Sequence, residues 1–125
     1  MPLDHRRLIV YRVALKLLAV IDEILEQLPP GRAHLKDQLD RAGTSIVLNI
    51  AEGAGEFSPR DKARFYRIAR RSATESAAIL DVIEQRQNAP ADKLASAQQL
   101  LVEIVSMLVR MIAIRARARA RARAR

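Results

Sequence analysis

The chain has no cysteine and no tryptophan, and only four aromatic residues among 125: Tyr11, Phe57, Phe65 and Tyr66. Without cysteine there is no disulfide scaffold and no Cys-ligated zinc site, which suits a reducing compartment. So few aromatics do not make a platform on which successive bases could stack. Long apolar runs are also missing. The most apolar stretch, Leu100–Ile114, is interrupted by Glu103 and Arg110 and falls short of the roughly 20 residues of a membrane span. Arg12, Lys16 and Asp22 break the apolar region that a secretory signal would need behind Arg6 and Arg7. The expected location is the cytoplasm, with no membrane partner.

Acidic residues are fewer than basic ones, 14 Asp and Glu against 22 Lys and Arg, for a net charge of +8. The excess is concentrated at one end. The alternating Arg-Ala run 115–125 holds six arginines and no acid, which leaves 16 basic against 14 acidic residues in 1–114. The body therefore carries only +2, and the high isoelectric point describes a tail.

Half of the residues are apolar, and their spacing is helical. Val10, Ala14, Leu17, Ile21, Ile24 and Leu28 recur at 4-3-4-3-4 and share one face of a helix expected over 4–28. Asp4 is placed to cap it, and Pro29-Pro30-Gly31 ends it. A second helix, from Ala33 to about Glu52, has the stripe Leu35, Leu39, Ala42, Ile46 and Ile50. Gly53 and Gly55 offer left-handed positions for its end. Ser58, Pro59 and Asp61 form a start signal for a third helix reaching about Gln87. Its expected inner face is Phe65, Ile68, Ala69, Ser72, Ala73, Ser76, Ile79 and Ile83. Asn88-Ala89-Pro90 turns the chain into a fourth helix, about Ala91–Ile114. No segment alternates in the manner of a strand. Four long amphipathic segments with short connections predict an all-α, antiparallel, up-down-up-down four-helix bundle over 1–114. The apolar faces of the first and fourth helices are broad, which reads as a homo-oligomer with part of this surface as a subunit interface, or else as a monomer with a wide core and some apolar surface. The tail 115–125 is low-complexity sequence, and its arginines repel at i,i+4, so it is expected to fray or stay disordered.

Catalytic chemistry has little to work with. His5 and His34 sit near helix starts without metal-spaced partners, and no Glu-x-x-His pair of the di-iron bundles occurs. Gly53-Ala54-Gly55 lacks the Lys-Ser/Thr of a phosphate loop. The chain reads as no enzyme, with no metal and no cofactor.

Three constellations remain. Ser45, Asn49 and Glu52 border the apolar stripe of the second helix, and Ser72 and Glu75 occupy a similar register on the third. With Arg41 as counter-ion they read as a polar network between helices that fixes register, or else as a small-molecule or metal site. Arg60, Arg64, Arg67 and Arg71 recur at 4-3-4 on the third helix, flanked by Lys62 and Arg70. This stripe is either a solvated face paired to neighbouring carboxylates or a phosphate-binding track, since guanidinium groups match phosphate oxygens bidentately. Arg115, Arg117, Arg119, Arg121, Arg123 and Arg125 of the tail are either an incidental extension or a nucleic-acid-binding arm. Such binding to RNA or DNA would be salt-sensitive and weak in sequence preference.

Arg41-Ala42-Gly43-Thr44-Ser45-Ile46-Val47-Leu48-Asn49-Ile50-Ala51-Glu52-Gly53-Ala54-Gly55 resembles the signature of the four-helix proteins encoded in intervening sequences of bacterial 23S rRNA genes. Phe65, Ile68-Ala69-Arg70 and Ser72 through Glu75 resemble that family's second motif, and Leu8-Ile9-Val10-Tyr11 its opening. The likeness covers about 5–114 and leaves out the tail. Arg71 stands where the family usually has Gly, Ser76 where Leu is common, and Glu56 where a basic residue is common. The first alters the basic face, and the last argues against a phosphate loop. The resemblance implies an antiparallel bundle that assembles as a homopentamer. It also implies kinship with accessory variability determinant proteins of diversity-generating retroelements, whose partners are a reverse transcriptase and nucleic acid. Two functions follow as expectations: non-specific nucleic-acid binding, or a protein-interaction scaffold whose bundle surface docks a partner.

Overall fold

The computed structural model describes residues 3–124. A single 3-10 turn, Asp4–Arg7, precedes four α-helices: α1 Ile9–Gln27, α2 Ala33–Gly55, α3 Pro59–Gln85 and α4 Ala91–Ala124. Among the described residues there is no strand. α1 packs on α2 and α4, and α3 packs on α2 and α4, while α1 and α3 do not meet. The helices thus surround one core in chain order, with α1 diagonal to α3.

The core follows the apolar periodicity. Val10, Ala14, Leu17, Ile21 and Ile24 of α1 are buried, as are Leu35, Leu39, Ala42, Ile46 and Ile50 of α2 and Leu94, Leu101, Ile104 and Leu108 of α4. Each large side chain among them contributes about 1.5–3 kcal/mol by leaving water. At one end Arg32 Nε donates to Asn88 Oδ1 at 2.9 Å, joining the two connections there. Nearby Lys93 Nζ pairs with Glu23 at 2.7 Å across α4 and α1. At the other end Asp4, Leu8, Ala54, Lys62, Tyr66 and Arg115 line one shallow pocket. The start of α1, the end of α2, the start of α3 and the last third of α4 therefore meet there.

Four details depart from the sequence expectations. Asp4 does not cap α1. It accepts from Arg7 at 3.0 Å within its own 3-10 turn, and α1 begins at Ile9 without a side-chain cap. Leu8 is extended, which separates the two elements. On α3 the inward aromatic is Tyr66, 1% exposed, while Phe65 and Ile68 are half-buried. Tyr66, Ala69, Ala73, Ser76, Leu80 and Ile83 keep a strict 3-4-3-4-3 spacing, the seam of a helix packed against near-parallel neighbours. Gly53 is helical, and the left-handed positions fall elsewhere, at Gly31 with φ 91° and Gln87 with φ 56°. What Gly53 supplies is room, because a Cβ there would meet the Tyr66 ring.

The fourth departure is the tail, which continues α4 as helix through residue 124. Ala and Arg both favour helix, and the extension is braced. Arg115 lies 5.7 Å from the Tyr66 ring centroid, and Ala116 and Ala120 face the first turns of α3. Arg125 lies outside the described residues. By length and composition α4 could also cross a bilayer. Its inward stripe, however, is seated in the core, and what remains apolar outside is an edge bearing Val102, Val109 and Ile114.

Candidate nucleic-acid interface

The start of α3 is built as its sequence dictates. Ser58 Oγ accepts from the Asp61 backbone N–H at 3.1 Å, and Pro59 occupies the first helical position. From this first turn onward, Arg60, Ala63 and Arg67 face the α4 extension. Its Arg115, Arg119 and Arg123 recur every four residues, so they lie on one face, with Ala116 and Ala120 between them. Together with Pro59 these residues line a groove of about 210 Å³. Five guanidinium groups converge on it, and its lining contains no carboxylate. Ala63 is buried, while Ala116 and Ala120 are exposed among the arginines.

The charges feel one another. Arg119 is held below the ordinary arginine value, first by Arg123, then by loss of water, then by Arg60 and Arg67. It is a guanidinium pushed by three others, and an anion in the groove would relieve all of these repulsions at once. Phosphodiester oxygens match such an array because each guanidinium presents parallel N–H donors.

The other sequence candidates are distributed differently. Arg64 turns over the Phe65 ring at 4.7 Å. Arg70 is half-buried and Arg71 exposed, and neither lines the groove. Arg117 and Arg121 are exposed on the opposite side of the extension. Lys62 has a structural task instead. Its ammonium donates to the carbonyls of Ala54 at 2.9 Å and Gly53 at 3.3 Å, capping the negative end of α2. Burial, with Arg115 nearby, lowers its pKa, while Asp4 and Glu56 oppose that shift.

The polar constellation between α2 and α3 is half assembled. Ser45 Oγ and Ser72 Oγ lie 2.7 Å apart. Asn49 Nδ2 donates to the Ser45 carbonyl at 2.9 Å and to Ser45 Oγ at 3.1 Å. Ser76 Oγ extends the set by donating to the Ser72 carbonyl at 2.8 Å. Arg41, Glu52 and Glu75 do not join. Arg41 pairs with Asp37 at 3.2 Å on the surface, and both glutamates are exposed. The reason is angular: the three residues from Asn49 to Glu52 fall roughly 60° short of a full turn, which swings Glu52 out to solvent. The assembled part is small, and its hydroxyls and amide are hydrogen-bonded to one another and to the α2 and α3 backbone.

Among the described residues no group of three or more His, Asp or Glu side chains is placed to hold a metal ion. His5 packs edge-on against Tyr11, with ring centroids 4.7 Å apart.

Sequence reasoning found the arginines but not their partnership, because the groove depends on the tail being helical. The signal available was the four-residue recurrence of Arg115, Arg119 and Arg123 on one face and the alanines between them.

No curated protein matches the chain. A solved structure is similar in fold, that of a protein of unknown function from the S23 ribosomal protein family of Bacteroides thetaiotaomicron. The two share 24% identity with a TM-score of 0.76, over 83% of this chain and 98% of that one. The sequence matches the 23S rRNA-intervening sequence proteins over residues 6–110, a span that holds α1, α2, α3 and the first part of α4 and stops short of the tail. The match takes in Arg60 and Arg67 of the groove but not Arg115, Arg119 and Arg123, and it covers most of the bundle: the chain belongs to the 23S rRNA-intervening sequence protein family.

Proposed function

We propose that this protein is a non-enzymatic, self-associating four-helix bundle, its helices alternating up and down, that binds RNA or DNA through phosphates. The observation that carries this reading is the groove of Arg60, Arg67, Arg115, Arg119 and Arg123, five cations with no carboxylate in the lining. Electrostatic capture of a phosphodiester backbone needs no base contacts and no stacking, which agrees with a chain that has four aromatics. Its place of action would be the cytoplasm.

Binding of a mixed-sequence RNA and a mixed-sequence duplex, measured against salt concentration, tests the proposal. Affinity should fall linearly on a log–log plot, by about 0.9 per neutralised phosphate for the duplex. The double variant Arg60→Ala/Arg67→Ala should flatten that slope. Equal slopes for wild type and variant would refute the groove as the site.

A second reading, a scaffold that docks another protein, draws on the apolar residues left in water on α1 and α4, Ile9, Leu15, Val102, Val109 and Ile114. It predicts no polynucleotide binding by the body.

A further inference from the structure

Lys62, Tyr66 and Arg115 meet at one end of the bundle around an open pocket of about 390 Å³, and Asp4 and Arg7 complete its polar lining. Asp4 is the one carboxylate in that lining, and Arg7 balances it at 3.0 Å. Lys62 and Arg115 are left there without an acid between them.

The hydrogen-bond donors set this pocket apart. The Lys62 ammonium has three N–H groups, and the carbonyls of Ala54 and Gly53 engage two of them. Tyr66 is 1% exposed. Among the described residues its phenol makes no hydrogen bond, and no sealed side-chain oxygen lacks a partner. The hydroxyl therefore opens into the pocket that Tyr66 lines. A hydroxyl on so deeply buried a side chain normally has a protein partner, so this one is left for an occupant from outside. Arg115 lies 5.7 Å from the centroid of the same ring. One ammonium N–H, one phenol O–H and one guanidinium thus line a single space. Burial and Arg115 already press on the Lys62 charge, and an anion in the pocket would relieve that pressure.

The pocket adjoins the arginine groove. Arg115 is a wall of both. It stands at the inner end of the row Arg123, Arg119 and Arg115, so a strand lying along that row runs into the pocket. A phosphate inside a strand has two free oxygens and a single charge, which a row of guanidinium groups suits. A phosphate monoester at a strand's end has three free oxygens and a charge of about −1.5 to −2 at pH 7. Three kinds of donor held together match that group.

We propose that the pocket of Lys62, Tyr66 and Arg115 holds the terminal phosphate monoester of a nucleic-acid strand whose internal phosphates lie along the arginine groove. The inference rests on the polynucleotide binding proposed above and names the strand end as the feature the site selects.

Fluorescence anisotropy at fixed salt tests it, with one single-stranded sequence carrying a 5′-phosphate, a 3′-phosphate or hydroxyls at both ends. One of the two phosphorylated strands should bind about tenfold tighter than the hydroxyl strand, the yield of a charge-assisted hydrogen bond. Which one it is gives the direction of the strand in the groove. Tyr66→Phe removes only the phenol O–H and should erase most of this preference, with helix content by circular dichroism unchanged. Asp4→Asn frees Arg7 and should widen the preference. Arg60 and Arg67 line the groove but not the pocket, so Arg60→Ala/Arg67→Ala should weaken all three strands and keep their ratio. No binding of any strand would overturn the reading above and this one with it. Equal binding of all three strands, equal gains at both ends, or a preference that survives Tyr66→Phe would overturn the terminal-phosphate site alone.

Discussion

A Cβ on Gly53 would lie 2.6 Å from Cε1 of Tyr66 and 2.8 Å from Cδ1. The bare backbone of α2 is the seat of the one aromatic ring fully buried in α3, and that ring in turn lies beneath Arg115. One glycine therefore sets how closely α2 and α3 approach and, through Tyr66, where the α4 extension lies.

Gly53→Ala should destabilise the bundle by about 1–3 kcal/mol, the usual cost of overpacking a rigid site. Gly43→Ala is the control. Its added Cβ would come 2.8 Å from Ile21 Cδ1, the end of a side chain that can turn aside. A helix-interior Gly→Ala change also gains roughly 0.5–1 kcal/mol. Denaturant melts should place Gly53→Ala clearly below wild type and Gly43→Ala near it. Equal losses would show that the Tyr66 ring yields as easily as an isoleucine tip.

Arg119→Ala and Arg117→Ala remove the same charge from opposite sides of the same helix. Only the first should take one cation from the groove, lowering the salt slope of polynucleotide binding by about 1. It should also relieve repulsion from Arg123, Arg60 and Arg67, so α4 helicity at low salt should rise. Indistinguishable effects of the two variants on the slope would assign binding to tail charge alone.

Burial raises the pKa of the Tyr66 phenol above the ordinary value of 10.0, and Arg115 partly offsets that. The folded chain therefore keeps this proton to higher pH than the unfolded chain does. The associated stability is complete below pH 10 and is lost as pH rises through the folded value. In a Tyr11→Phe background, phenolate absorbance should report a midpoint above 10.0, and Arg115→Ala should move it higher still. A midpoint at or below 10.0 would contradict the buried, protonated ring.

Ser72→Ala removes one of the two partners of Ser45 Oγ and leaves it Asn49 Nδ2, so it should cost about 0.5–1.5 kcal/mol. Ser45→Ala/Ser72→Ala removes both partners and should cost less than the two single losses added. Strict additivity in thermal or denaturant melts would mean the two hydroxyls do not communicate.

The helices and most of the core were legible because apolar residues recur with helical spacing, and the start of α3 was legible because Ser58, Pro59 and Asp61 are a local signal. Phe65 and Tyr66 show where such reading stops. Two adjacent aromatics fit the pattern almost equally well, and the choice between them is made on another helix, by the missing side chain of Gly53. Lys62 looked like a phosphate contact by company, yet the carbonyls that end α2 claim it. Repulsion among tail arginines argued for fraying, and the weight against it came from Tyr66 and Ala63, contacts that composition alone does not reveal. The arginine groove exists only because the tail is helical.

The tail's two-letter sequence is written on a helix whose turn is not a whole multiple of its period. Arg115, Arg119 and Arg123 line the groove with Ala116 and Ala120, while Arg117 and Arg121 stand on the far side. Adding or losing one Arg-Ala unit changes only how far the helix reaches. Adding or losing a single residue exchanges every arginine with an alanine, which leaves positions 116 and 120 as the tail's cations in the groove in place of 115, 119 and 123. The structure therefore reads the parity of the tail more strictly than its length.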